Sequence, residues 1–317
     1  MSFTKKKMGH LALATSLAMG IAMSSLTTAN ATPPSVVVYD SIGPSVPGNV
    51  ASLAFQATQT SEFGDRVVLA GGSRYLRSVT VLMSSWGCES GNWTGGGGDC
   101  VTTPGATFNH DLTMSIYAPG VGLDVGATIV SSTQNFNIPF RPSADLDNCT
   151  DGRWYDGTTC FNGFATPVTF TFDGTVLLPD DVIWGISFNT SGYGANPLGY
   201  STACAITPQG CGYDSLNVGV SGDLSPATGT DADSDGVYWD TDTAYWYCDG
   251  GTGGVGTFRS DTLPSCWSGY RPMASIETSA ATVGPPTNSD QCKKDGWKTF
   301  NNPSFKNQGE CVSYTNH

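Results

Sequence analysis

The chain has few charged residues, and lysine is missing from its long central part. Charged residues make up 13% of the 317 residues, about half the share in an average globular protein. Residues 32–284 contain seven arginines, no lysine and 24 Asp and Glu, a net charge of 7 − 24 = −17. A surface of this sign repels phosphate backbones and anionic membranes. The composition therefore excludes nucleic-acid binding by this part of the chain.

Several kinds of catalytic machinery are missing as well. The sequence has no G-x-S-x-G, H-E-x-x-H or P-loop pattern, and the lack of lysine in residues 32–284 excludes Schiff-base chemistry there. His110, the one histidine of this part, is expected on the surface at the start of a strand. Paired carboxylates are available for hydrolysis, but no spacing selects a pair. We expect a non-catalytic protein and leave enzymatic activity open.

No apolar run is long enough to span a membrane. The first 31 residues show the pattern of a secretory signal peptide: basic residues at 5–7, an apolar stretch over 11–23, and Ala29-Asn30-Ala31 before the cleavage point. An apolar stretch of about 13 residues is too short for a bilayer core, which takes about 20. We therefore expect a secreted, extracellular chain that begins at Thr32.

Glycine and short alternating runs dominate what is present. There are 40 glycines, and aromatic residues make up 11% of the chain. Short β-branched or alternating runs separated by Gly, Pro, Asn and Asp are typical of strands, and no helical period is evident. Residues 32–277 are therefore predicted to form an all-β domain, an antiparallel β-sandwich. The predicted strands are 35–39, 54–57, 66–69, 76–83, 112–117, 127–131, 168–172, 182–188, 216–220 and 273–277.

The ten cysteines form five near-neighbour couples. An even number of cysteines favours disulfides in an oxidising compartment, and no C-x-x-C pair supports a zinc site. Local disulfides that close loops are the simplest assignment, although spacing alone does not fix the pairing. The couples are Cys88 with Cys100, Cys149 with Cys160, Cys204 with Cys211, Cys248 with Cys266, and Cys292 with Cys311.

A linker and a small module follow the predicted sandwich. Residues 278–288 are rich in Pro, Thr and Ser and are predicted to be a linker, and residues 289–317 form a module bracketed by Cys292 and Cys311. So short a segment needs a disulfide in order to fold. Its interleaved lysines and aromatic residues fit two interpretations: a grip on an anionic cell-surface polymer, or a stapled hairpin with solvated lysines.

Three sets of segments resemble segments of secreted bacterial proteins. Residues 112–120, 127–139 and 167–188, in this order, resemble the jelly-roll sandwiches of such proteins, a group that includes carbohydrate-binding modules. Residues 60–67, 83–88 and 137–145 are similar to a set of secreted bacterial proteins with no assigned activity, and residues 292–314 resemble a short cysteine-bracketed module found at their C-terminus. The resemblance implies a jelly-roll-like fold and no particular activity.

An acidic loop is the strongest local motif. Residues 231–236 read D-A-D-S-D-G, which matches the D-x-D-x-D-G pattern of calcium loops. Asp occupies the twelfth position, where that pattern has Glu, and no helices flank the loop. The alternative interpretation is a solvated acidic turn. The predicted calcium ligands are Asp231, Asp233, Asp235, the Val237 carbonyl and Asp242.

Aromatic residues cluster around the same loop and the Cys248–Cys266 couple. Exposed rings stack on the apolar faces of sugars, whereas buried rings fill the space beneath disulfide loops. Packing is the favoured interpretation for any single ring, and a ligand platform formed by at least one of them stays open. The candidate ligand-binding residues are Tyr238, Trp239, Trp246 and Trp267.

These observations favour a secreted protein that binds a glycan or a cell-surface polymer and is stabilised by calcium. A structural protein of a surface layer or matrix is the first alternative. A polysaccharide-degrading enzyme that works through carboxylates is the second.

Overall fold

The computed structural model describes residues 34–55, 58–91, 99–188, 216–222, 225–233, 236–261, 270–281 and 283–316. The chain divides into two compact units, one over Thr32–Val283 and one that contains Gly284–His317. The last strand of the larger unit ends at Ser279, two residues inside the predicted linker of 278–288.

The larger unit is built from antiparallel strands, numbered here in chain order. The first sheet contains β1 (Ser35–Asp40), β2 (Ala51–Ala54), β4 (Tyr75–Ser85), β9 (Phe164–Thr171), β11 (Leu216–Ser221), β15 (Arg271–Pro272) and β16 (Ala274–Ser279). The second sheet contains β3 (Thr60–Val68), β5 (Thr107–Pro119), β6 (Val125–Pro139), β10 (Asp181–Phe188), β12 (Thr230–Asp231), β13 (Tyr238–Thr241) and β14 (Arg259–Ser260). A separate ribbon pairs β7 (Trp154–Tyr155) with β8 (Cys160–Phe161).

The two sheets pack face to face around one core. Alternation along β4 points Val79 and Val81 inward, and alternation along β10 does the same for Trp184, as expected for strands with one buried face. The sheets also meet at one edge, where the Phe136 ring of β6 lies 4.8 Å from the Phe170 ring of β9. The predicted antiparallel β-sandwich is confirmed.

Strand β3 lies in the middle of the second sheet. The strand order is β14-β13-β3-β10-β5-β6, with β12 paired to the far end of β3 beside β13. Residues 60–67, one of the segments that resemble secreted bacterial proteins, therefore form a central strand with a neighbour on each side.

Disulfides close the loops at the ends of the sandwich. Cys88–Cys100 and Cys149–Cys160 are bonded as predicted, and Cys292–Cys311 closes the small unit. Cys248 is also disulfide-bonded. The predicted couples that include Cys204, Cys211 and Cys266 involve residues outside those that the structure describes.

The small unit is helical. It contains two 3₁₀ helices, Ser289–Cys292 and Gly296–Thr299, and helix α1 (Gln308–Tyr314), which begins at the side-chain cap of Asn307. This differs from the interpretation of the module as a stapled hairpin, because side-chain caps and one disulfide, rather than an apolar period, define these short helices. Among the described residues, no helix combines the length and the apolar character needed to cross a membrane.

Candidate functional site

The outer face of the second sheet carries a buried glutamate. Alternation along β3 turns Phe63, Asp65 and Val67 toward the core, so Glu62 and Gly64 point to the other side of the sheet. Glu62 is only 8% exposed although it lies on this outer face. A carboxylate that is so little hydrated is costly unless it is hydrogen-bonded or protonated.

Polar side chains surround Glu62 on the neighbouring strands. Asp240 of β13 and Ser187 of β10 lie directly opposite it, one on each side. The Tyr117 hydroxyl of β5 donates a hydrogen bond of 2.8 Å to Oε1 of Glu62, and the Ser187 side chain supplies another. We call these four residues the Glu62 site.

A glycine makes room for the Glu62 carboxylate. A Cβ atom at Gly185 would overlap Oε1 of Glu62 and press against the ring of Phe258. That ring also lies 5.3 Å from the ring of Tyr117. The Glu62 carboxylate therefore lies over the backbone of Gly185 and beside the Phe258 ring.

Burial dominates the electrostatics of the Glu62 site. Burial raises the pKa of Glu62 from 4.5 to about 7, and the charge of Asp240 adds to the rise, while the hydrogen bonds from Tyr117 and Ser187 oppose it. Burial also raises the pKa of Asp240, against a hydrogen bond from Ser61. Glu62 and Asp240 are thus paired residues of neighbouring strands whose carboxyl groups have unequal surroundings.

Exposed aromatic rings follow β13 directly. Tyr245 is 80% and Trp246 37% exposed, and their ring centroids are 5.0 Å apart. Hydrogen bonds to Gln59 hold the start of this loop: its carbonyl accepts from the Asp242 N–H, and its side chain from the Thr243 hydroxyl. The pair therefore lies on an anchored loop a few residues from Asp240.

The other predicted ligand-binding rings lie elsewhere. Tyr238 and Trp239 are fully buried, which differs from the prediction that they are available to a ligand. The Trp239 ring stacks on Phe63 at 5.7 Å in the core, and the Tyr238 hydroxyl donates to the Leu123 carbonyl. Trp267 lies outside the described residues.

The predicted calcium ligands do not converge as the twelve-residue pattern requires. Asp231 pairs with Val67 at one end of β3, whereas the Asp242 N–H donates to Gln59, eight residues earlier. Eight residues of strand separate them by about 26 Å. The Val237 carbonyl accepts the Asp261 N–H at 3.0 Å.

No other grouping of the predicted metal ligands replaces this pattern. Asp235 lies outside the described residues, and within the described ranges no three His, Cys, Asp or Glu side chains are placed to hold a metal. Calcium binding stays a prediction, with Asp242 too far from Asp231 to share one ion.

Asp231 and Asp233 belong instead to a polar group between the sheets. The Arg271 guanidinium lies 3.0 Å from Asp231, and the Asp233 N–H donates to the same carboxylate at 2.9 Å. Asp65, fully buried, interacts electrostatically with all three, and burial raises its pKa well above the usual range. We call Asp65, Asp231, Asp233 and Arg271 the Asp65 cluster.

A groove lies away from the Glu62 site. This groove of about 880 Å³ is lined mainly by apolar groups such as Pro104, Phe140 and Leu146. The carboxylate of Asp145 in its wall accepts hydrogen bonds from Asp147 and Asn148 of its own turn. The groove is therefore mainly apolar, and the Asp145 carboxylate in its wall is already hydrogen-bonded. We take the Glu62 site as the better candidate.

Sequence reasoning missed the central residues of this site. Nothing in the sequence pairs Glu62 with Asp240 or Tyr117, because β13 and β5 are distant from β3 in sequence. No local signal marks Glu62 either, since β3 also contains Asp65 and Arg66. His110 was expected on the surface, but it is 2% exposed and burial lowers its pKa to about 4.

Comparison of the chain with protein-family models, with curated proteins and with solved structures gives no match in any of the three. The function therefore has to be argued from the residues of this molecule. The molecule therefore offers hydrogen-bonding carboxylates and hydroxyls on the outer face of the second sheet and an exposed aromatic pair on the loop after β13.

Proposed function

We propose that this is a secreted β-sandwich protein that binds a neutral glycan or cell-surface polymer on the outer face of its second sheet. The observation that carries the proposal is the exposure of the adjacent rings of Tyr245 and Trp246 on the loop that follows β13 of this sheet. Exposed aromatic rings can stack on the apolar faces of sugars.

Polar groups continue from the Glu62 site across the sheet and would serve the hydroxyls of a sugar chain. Thr113 of β5 lies opposite Ser187, and its hydroxyl is 2.7 Å from the Thr133 hydroxyl of β6. One row therefore runs from Asp240 through Glu62, Ser187 and Thr113 to Thr133 across five strands. Five strands span about 19 Å, enough for several sugar units.

Charge favours an uncharged ligand. The net charge of −17 over residues 32–284 disfavours an anionic polymer at ordinary ionic strength. Export from the cell is part of the proposal, and the disulfides Cys88–Cys100, Cys149–Cys160 and Cys292–Cys311 support it, since such bonds persist mainly in oxidising compartments.

Calcium is the second part of the proposal. Three carboxylates of the Asp65 cluster share one arginine, and a divalent cation bound by Asp231 and Asp233 would offset the remaining negative charge. Because Asp231 already contacts Arg271, the ion has to share or displace that contact. Addition of EDTA should then lower the melting temperature, and Ca²⁺ should restore it. An unchanged melting temperature would contradict the calcium part alone.

Retention of the purified protein on insoluble polysaccharides tests the glycan part. The panel contains cellulose, chitin, xylan, mannan and peptidoglycan. We expect retention on at least one polymer, with a loss of tenfold or more in the double variant Tyr245→Ala/Trp246→Ala. Tyr270→Ala is the matched control, because Tyr270 is 45% exposed next to β15 of the first sheet.

Three results would count against this proposal. Retention that is equally reduced by the Tyr270→Ala control would place the ligand elsewhere. Equal retention of the double variant and the unchanged protein would remove the role of the aromatic pair. Absence of retention on every polymer, together with ordered self-association in sedimentation, would favour a structural surface protein.

A further inference from the structure

We infer that β6 is an interaction surface, on which the β6 strand of a second copy of this chain pairs to form an antiparallel two-fold dimer. The inference goes beyond the proposed function, because it concerns a sheet edge rather than the groups that contact a sugar, and it does not require glycan binding. It also extends the proposed binding surface, because the pairing joins the outer faces of two copies.

β6 lies at an edge of the second sheet and is the longest of the described strands. It has 15 residues and is the last strand in the order of the sheet. Among the described residues it pairs with β5 alone, and no hydrogen bond joins its backbone to another strand. An edge strand turns every second N–H and C=O away from its own sheet. These groups are therefore available to one further strand.

β6 lacks the features by which proteins usually protect a sheet edge. Short length, charged side chains, internal prolines and bulges all hinder the addition of a further strand. β6 has no charged residue, and its proline is its last residue, Pro139. From residue 130 to residue 138 it pairs with β5 residue for residue, without a bulge. This regular stretch, residues 130–138, is therefore open to pairing along its whole length.

The other edges of the two sheets carry these protective features. In the second sheet β12 and β14 have two residues each. In the first sheet β2 has four residues, β15 ends in Pro272 after two residues, and β1 combines a bulge with Asp40. β9 contains Pro167, and the Gln134 side chain of β6 bonds to the backbone at its end. Within the part of the chain that the structure describes, β6 is thus the one long edge without protection.

The occupant that fits this edge is the same edge of a second copy. Residues 32–284 carry a net charge of −17, so two copies repel each other over most of their surface. Two uncharged β6 strands approach without placing like charges opposite each other. A strand paired about a two-fold axis is self-complementary, and a second copy supplies it already extended, so that no ordering cost opposes the pairing.

The side chains of the regular stretch favour a two-fold axis at Thr133. Pairing about this axis places Val130 of one copy opposite Phe136 of the other, since each lies three residues from the axis. Both are apolar and only partly covered by the core of one copy, so the pairing buries apolar surface that each copy alone exposes. The outward residues Ser131, Thr133 and Asn135 are exposed and uncharged, and their side chains can hydrogen-bond across the axis.

The dimer joins two outer faces into one surface. A two-fold axis perpendicular to the sheet turns the outer faces of both copies to the same side. The row of polar groups proposed to bind a sugar chain ends at Thr133, which lies on the axis, so the row continues into the second copy. Ten strands span about 43 Å, and two linked binding faces hold a polymer about 10²–10⁴-fold more tightly than one.

Sedimentation velocity of the purified protein over a hundredfold range of concentration tests the association. We expect a monomer–dimer equilibrium that stops at two copies, because the pairing uses the β6 edge of each. The double variant Thr133→Lys/Asn135→Lys puts like charges opposite each other and should raise the dissociation constant about tenfold or more. Val36→Lys/Val37→Lys is the matched control, because it adds the same charge to exposed residues of β1, an edge strand of the first sheet.

Cysteine variants test the register. Thr133 on the axis faces its own counterpart, with Cβ atoms about 4.5–5.5 Å apart, so Thr133→Cys should form a disulfide between copies under mild oxidation. Ser131 lies on the same exposed face, but its counterpart is four residues farther along the strand of the second copy, about 14 Å away. Ser131→Cys is therefore the matched control and should give no cross-linked dimer on a non-reducing gel.

The outcomes separate this inference from the proposed function. A monomer at every concentration would overturn the inference and leave glycan binding untouched, since retention on polysaccharides is measured separately. A dimer that the β6 and β1 lysine variants weaken equally, or not at all, would place the interface elsewhere. Cross-linking through Ser131→Cys rather than Thr133→Cys would overturn the pairing about Thr133. Association that continues beyond two copies would overturn the two-fold dimer and favour the structural surface protein.

Discussion

Glu62 and Asp65 lie three residues apart on β3, yet they occupy two different kinds of site. Asp65 points into the sandwich and belongs to a cluster in which Arg271 supplies a positive charge. Glu62 points out of the sheet, and the groups that shift its pKa are a tyrosine, a serine and a second carboxylate. Both carboxyl groups are buried, so burial alone does not distinguish them.

The groups that contact each carboxylate distinguish the two sites. A buried carboxylate beside a guanidinium joins the two sheets, and the loss of either partner leaves an uncompensated charge. A buried carboxylate held by neutral donors remains free to take up and release a proton near neutral pH. We therefore assign a structural role to the Asp65 cluster and a functional role to the Glu62 site.

The largest expected effect comes from the removal of the cation of the Asp65 cluster. Arg271→Met leaves Asp65 and Asp231 without their positive partner, and we expect a loss of about 3–5 kcal/mol in the free energy of unfolding. Urea denaturation at pH 7 measures it. Glu62→Gln is the companion variant and should not lose stability at this pH, because it removes a carboxyl group whose ionised form burial disfavours. Equal losses would show that the two sites do not differ in kind.

The next effect is a pH dependence that belongs to Glu62. Its pKa is about 7 in the folded chain, above the ordinary value of 4.5, so protonated Glu62 favours folding. This contribution is complete below pH 4.5 and is lost as the pH rises through about 7. It amounts to at most about 3 kcal/mol.

The difference between the unchanged protein and Glu62→Gln isolates this contribution. Subtraction is needed because His110, whose pKa is lowered to about 4, acts with the opposite sign over part of the same range. Denaturation curves at pH 4.5, 6 and 8 should show the unchanged protein losing stability relative to the variant as pH rises. A constant difference would mean that Glu62 is solvated in the folded chain.

The smallest effect concerns the space that Gly185 leaves for Glu62. Gly185→Ala places a methyl group against the Glu62 carboxylate and the Phe258 ring, and we expect a loss of about 1–3 kcal/mol. The double variant Glu62→Ala/Gly185→Ala should lose less than the sum of the single variants, because the overlap with the carboxylate is gone. Additive losses in denaturation experiments would contradict the packing of Glu62 over Gly185.

The β-sandwich was predictable from the sequence, because the alternation of apolar and polar residues identifies each strand independently of its neighbours. In β4, for example, Val79, Val81 and Met83 alternate along the sequence and all lie in the core. Strands of two to four residues, such as β12 and β13, were missed, since they contain too few positions to show a period. The strand predicted at 54–57 is observed at Ala51–Ala54, and residues 56–57 lie outside those that the structure describes.

The candidate site was not predictable, because it depends on which strands become neighbours. The burial of Trp239 follows from the pairing of β13 with β3. Trp246 belongs to the same aromatic segment of the sequence, but it lies on the loop after β13 and is 37% exposed. The same pairing brings Asp240 to Glu62. No local spacing encodes a register between distant strands.

The most direct test of this account is the titration of Glu62 itself. The chain has four glutamates, at positions 62, 89, 277 and 310, so selective ¹³C labelling of glutamate gives four side-chain carboxyl resonances in NMR spectra. We predict that the resonance that disappears in Glu62→Gln titrates near pH 7 and shifts when a neutral oligosaccharide from the retained polymer is added. Titration of that resonance near pH 4.5, with no response to the sugar, would contradict the assignment of Glu62 as the functional carboxyl group.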